Sequence, residues 1–119
     1  MNKKTCSTIA ATLLCTASLC VAAAPDTSAC PADFHTLTMP DDAKQCQVFD
    51  SGLPATLVFY SATPQQTLID YYTAQYPGMQ VAATVQGRTL LTAANDSVRV
   101  IISPDHEGSQ VDMMIVKAN

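Results

Sequence analysis

Thr63 to Gly78, TPQQTLIDYYTAQYPG, is the stretch on which the reading of this 119-residue chain turns, because it carries its own start and stop signals for a helix. Thr63 is placed to cap the first turn, and Gln66 stands three residues later as a capping box requires. Pro64 suits an opening turn, where its missing N–H has no partner to lose. Pro77 and Gly78 close the segment. Projected at about 3.6 residues per turn, Leu68, Ile69, Tyr72 and Tyr76 share one side, and Gln66, Asp70 and Thr73 the other. Two of the three tyrosines are therefore expected in the core. Tyr71 falls at the edge of the stripe, where a ring can be half-buried with its hydroxyl in water, which makes it a candidate contact residue for a partner.

Immediately upstream, ATLVFYS (Ala55 to Ser61) is a short β-branched and aromatic run. Leu57 and Phe59 alternate against Val58 and Tyr60, so both faces are apolar, as in a central strand. Downstream, three turn signals cut the chain into four extended pieces: Gln86-Gly87, Asn95-Asp96, and the loop Pro104 to Gly108. That spacing predicts an antiparallel meander. Alternation sends Met79, Val81, Ala83 and Val85, then Val98, Val100 and Ile102, then Val111, Met113 and Ile115 toward the helix. The opposite face is not cleanly polar. Ile101, Met114 and Val116 stand there beside Arg99, Gln110 and Asp112. Such a patch is expected either to lie beneath the segment Cys30 to Pro54 or to dock another protein. The connection from strand 55–61 through the helix to strand 79–85 is long enough for a right-handed crossover, which predicts that these two strands are parallel.

The N-terminal residues read as a targeting segment. Lys3 and Lys4 precede an apolar or small run from Ile9 to Val21, too short to span a membrane at about 20 residues, and small residues follow. Cleavage after Ala23 makes residues 1–23 a signal peptide, residues 24–30 a flexible tail and residues 31–119 one small domain. Lipid anchoring is disfavoured: Ala17-Ser18-Leu19 before Cys20 is in the wrong order for it, and Cys30 lacks a leucine three residues before it.

Removing 23 of the 119 residues leaves 96, enough for one domain with a modest core. Cys6, Cys15 and Cys20 leave with the signal, and the remaining Cys30 and Cys46 are expected to bond to each other in an oxidising compartment. Closing that loop would contribute roughly 3 kcal/mol in the chain-entropy model. No structural zinc spacing fits two cysteines with only His35 nearby.

Charge and motif narrow the function. Lys44, Arg88, Arg99 and Lys117 remain against ten acids, which disfavours nucleic acid and anionic lipid and leaves a protein partner, a basic one included. There is no G-x-S-x-G elbow, no phosphate-cradling glycine loop and no C-x-x-C, and His35 and His106 are the only candidate bases. His106, between Asp105 and Glu107 in a turn, lacks the ligand count for a metal. No catalytic residue, metal or cofactor is assigned.

The expectation is thus an α+β domain, a single helix packed on a mixed, mostly antiparallel four- to five-stranded sheet with a disulfide-stapled N-terminal segment. It is expected to be periplasmic or secreted and to act as a non-catalytic protein-binding module, an envelope-assembly accessory subunit or an inhibitor or immunity-type protein. The alternative is a small-ligand carrier with a space between helix and sheet lined by Tyr60, Tyr72 and Met113.

Overall fold

The computed structural model describes residues 29–117. The expected signal peptide and most of the expected tail lie outside the described residues. A two-strand hairpin comes first, β1 (Asp33–Phe34) with β2 (Leu37–Thr38). Then follow β3 (Lys44–Phe49), β4 (Ala55–Ser61), α1 (Gln65–Gln75), β5 (Gln80–Val85), β6 (Arg88–Ala93), β7 (Val98–Asp105) and β8 (Gly108–Ile115).

The main sheet has six strands in the order β3-β4-β8-β7-β6-β5, and every pairing is antiparallel. The expected mixed sheet of four or five strands is corrected accordingly. β4 and β5 do run in the same direction, but β8, β7 and β6 lie between them. The last strand has inserted beside β4, where Leu57 faces Met113 and Phe59 faces Val111.

The inner face is built in rows across the sheet. Leu57, Met113, Val100 and Leu91 form one row, and Phe59, Val111 and Ile102 form the next. All seven are fully buried. α1 packs over β6 and β7 and adds Leu68, Ile69 and Tyr72 to this core, as its periodicity predicts. Tyr76 and Tyr71 pack against the core from its rim.

The start of α1 differs from the expected capping box. Pro64 occupies the N-cap position with no side-chain cap, and its carbonyl accepts the Leu68 N–H at 3.2 Å. Thr63 Oγ1 is committed to Asp42 instead, and Gln66 donates forward to Asp70 at 3.0 Å. The stop is as expected: Tyr76 N–H closes on the Tyr72 carbonyl, and Gly78 takes the left-handed conformation that Pro77 leads into.

The meander also forms, with one change of face. Val81 opposes Leu91 and Ala83 opposes Leu90, so Ala82 is an extra, bulged residue. A bulge shifts the side-chain parity by one. Val81 therefore stays on the helix side, whereas Ala83 and Val85 point to the opposite face, correcting the expectation that the whole strand faced inward. Pro104 lies inside β7 rather than in a loop, opposite Ser109 and beyond the end of β6, where no neighbour needs its missing N–H.

The Cys30–Cys46 disulfide is present, with Cα atoms 5.2 Å apart. It is a bond at home in oxidising, extracytoplasmic compartments. Phe34, Leu37, Met39 and Cys46 are buried with the helix-side core. Tyr72 Oη donates to the Thr38 carbonyl at 2.9 Å, and Thr36 Oγ1 to Tyr76 Oη at 3.2 Å. The stapled segment thus packs beside α1 and does not cross the opposite face. Among the described residues, no helix is long and apolar enough to cross a membrane.

Candidate functional site

The face of the sheet turned away from α1 is built from three rows of side chains. Phe49, Thr56, Met114, Arg99 and Thr92 form the first. Val58, Asp112, Ile101, Leu90 and Ala83 form the second. Tyr60, Gln110 and Ser103 belong to the third, with Arg88 and Val85 beyond them. Strand alternation dictates most of this composition, and the Ala82 bulge adds Ala83 and Val85 to it.

Ile101, Met114 and Val116 are half-buried, and Leu90 and Val58 are equally so. Between them lies a shallow depression of about 530 Å³ reaching from Thr56 and Val58 to Leu90 and Arg99. Ile101 and Met114 line it, and Val116 follows just after β8 on the same side, its N–H bonded to the Ser97 carbonyl at 2.8 Å. Tyr71 is on the other side of the sheet, edge-on to Tyr72 with ring centroids 5.0 Å apart. The four predicted contact residues therefore do not form one surface. Three share the open face, and Tyr71 belongs to the helix side.

The structure adds members that sequence reasoning did not single out. Phe49 and Leu53 flank the β3–β4 turn with 61% and 48% of their surface exposed, and Phe49 opposes Thr56 at the margin of the open face. The available signal was the pair of apolar residues on either side of Asp50-Ser51-Gly52. Arg88 donates through Nε to Ser103 Oγ at 3.2 Å, and Arg99 through Nε to the Asp96 carbonyl at 3.3 Å. Among the described residues, neither arginine is placed against a carboxylate, and Asp112 lies in the same face as both.

A separate polar cluster joins the stapled segment to the junction of β4 and α1. Asp42 Oδ1 accepts from Ser61 Oγ at 2.7 Å, and its Oδ2 accepts from Thr63 Oγ1 at 2.8 Å. Thr63 N–H donates to Ser61 Oγ at 3.0 Å, and Ser109 Oγ to the Thr63 carbonyl at 2.9 Å. Partial burial pushes the Asp42 pKa up, but bonds from Ser61, Thr63 and the amides of Ala62 and Asp42 itself outweigh it, holding this carboxyl below the usual range. This is a carboxylate fully engaged in bonding, with no imidazole beside it.

The two histidines lie apart. His35 meets Asp50 at 3.3 Å, and His106 meets its neighbour Asp105 at 2.9 Å. Among the described residues, no three His, Cys, Asp or Glu side chains converge as a metal-binding set. The pocket expected between helix and sheet is not assembled from its named lining, since Tyr72 and Met113 are fully buried in the core while Tyr60 stands on the opposite face.

No protein-family model, curated protein or solved structure matches this chain.

Proposed function

We propose that this chain is an exported, non-catalytic protein-binding module that docks a partner on the open face of its sheet. One observation carries the reading. The stapled segment, the element available to cover Val58, Leu90, Ile101 and Met114, packs beside α1 instead. Exposed apolar patches of this kind on small domains mark interaction sites, and adaptable methionine suits such a surface. Phe49 and Leu53 at its margin supply anchors of the size that dominates interface energetics.

The chain's acidity suggests a basic partner, but the charge on this face is local. Arg88 and Arg99 outnumber Asp112, so the complementary surface is apolar with an acidic component at its rim. The exposed, separate histidines and the internally committed Asp42 cluster support a binding rather than a catalytic role. Periplasmic or secreted placement rests on the N-terminal targeting pattern and the disulfide. An envelope accessory subunit and an inhibitor of another secreted protein both fit.

The test is a matched capture from the producing cell's envelope, using the wild type and an Ile101→Asp, Met114→Asp variant. The variant is expected to keep the circular dichroism and disulfide of the wild type and to lose a stoichiometric protein partner. A folded variant that retains every wild-type partner refutes the reading.

A further inference from the structure

The sheet has two edges, and they are treated differently. β3 is guarded: Lys44 stands at its start, the register shifts between Lys44 and Gln47, Gln45 is left-handed, and Cys46 is tied down by the disulfide. These are the features that keep an edge from pairing with a foreign strand. β5 carries no ionisable side chain, and all six of its residues are exposed, Val81 by 51% and Val85 by 61%. α1 packs over β6 and β7, and β5 lies beyond them at the margin of the sheet. Among the described residues, no strand neighbours its outer side. What such an edge accepts is an extended backbone with alternating small and β-branched side chains.

We propose that β5 pairs antiparallel with β5 of a second copy about a two-fold axis at Thr84, extending the sheet across both chains. The occupant is a second copy because this strand is compatible with itself. Ala83 to Val85 lies beyond the Ala82 bulge in regular register with β6. An axis at Thr84 sets threonine against threonine on the helix side and places Ala83 opposite Val85 of the partner subunit on the open face. Both are favourable cross-strand pairings, with no like charges opposed. Charge argues in the same direction. The chain is net acidic, so copies repel over most of their surface, yet no acid occurs from Tyr71 to Asn95, the stretch that holds β5 and β6. Approach edge-on through β5 is the route that avoids the repulsion.

The two-fold runs perpendicular to the sheet, so both open faces look the same way. The small hollow of about 210 Å³ lined by Ala83, Val85, Leu90 and Ile101 together with Gln86 and Arg88 then meets its counterpart across the axis. The pairing stands on the edge alone and does not depend on the docking role of the face.

Sedimentation velocity on the purified, oxidised protein tests it. The wild type is expected to show a concentration-dependent monomer–dimer equilibrium. Thr84→Lys, which opposes two ammonium groups on the axis, shifts the midpoint to at least about tenfold higher concentration with an unchanged circular dichroism spectrum. Thr84→Cys is expected to oxidise to a covalent dimer, and Gln47→Cys on the β3 edge is not. A wild type that stays monomeric to millimolar concentration, or a dimer untouched by Thr84→Lys, overturns the proposal. So does crosslinking through position 47 in place of 84.

Discussion

Tyr72 on α1 and Thr38 on β2 are 34 residues apart, and the tyrosine hydroxyl donates to the threonine carbonyl at 2.9 Å. This bond ties the stapled segment to the helix, on the side where Phe34, Leu37 and Met39 enter the core. Tyr72→Phe leaves that carbonyl without its donor and should cost about 1–3 kcal/mol, read as a lower denaturant midpoint at unchanged m-value.

The same hydroxyl predicts an alkaline limit. Burial pushes the Tyr72 pKa well above the ordinary tyrosine value, with smaller contributions from Tyr71 and Asp42. The unfolded chain releases this proton near pH 10 and the native one holds it, so the Tyr72 contribution to stability is present below about pH 10 and declines above it. Denaturant titrations at rising pH should show the decline, and Tyr72→Phe should flatten it.

Asp42 sets an acid limit of opposite sign. Its native pKa lies below its unfolded value, so its contribution is present above about pH 4 and is lost as pH falls through the native pKa. Asp42→Asn should lower stability at pH 7 by about 1–3 kcal/mol and weaken the loss of stability toward pH 2. A variant whose acid unfolding profile coincides with the wild type would refute this account of the cluster.

Gly108 permits a close approach of β8 to the end of β4. A Cβ there would run into the Ser61 carbonyl oxygen and come within 2.6 Å of the Tyr60 hydroxyl and 2.9 Å of Ala62 Cα. Two of these obstacles are backbone and cannot swing aside. Gly108→Ala should destabilise by about 1–3 kcal/mol, visible as a fall in melting temperature.

Removing the Cys30–Cys46 bond should cost roughly 3 kcal/mol and free the first hairpin to proteolysis before the sheet yields. Limited digestion of a Cys30→Ala, Cys46→Ala variant, followed by mass spectrometry, would locate the first cuts. Initial cleavage within β7 or β8 would contradict the expected order.

Much of the helix and meander was legible because burial there follows local period. Leu68, Ile69 and Tyr72, and the alternating Val98-Val100-Ile102 and Val111-Met113-Ile115, each declare their face within one segment. The errors arose where a partner elsewhere in the chain decided the outcome. The neighbour of β4 is chosen by competition between β5 and β8, which no local pattern records. Ala82 looks like any other strand residue, yet as a bulge it turns Ala83 and Val85 over. Thr63 reads as a cap until Asp42, twenty-one positions away, claims its hydroxyl. Ile101, Met114 and Val116 were identified from alternation, but the openness of their face depended on where Phe34, Leu37 and Met39 packed. Asp42, Phe49 and Leu53 carried no spacing signal that marks a site.

The position of β8 between β4 and β7 also governs the order of assembly. Ribosomes deliver this strand after the other strands of the sheet, and until it arrives no strand pairing joins β4 to the β5–β7 ladder. Such late, long-range closure is slow, because loop entropy is lost before any contact rewards it. A chain wired this way stays pliable until β8 is free to slot between its two neighbours.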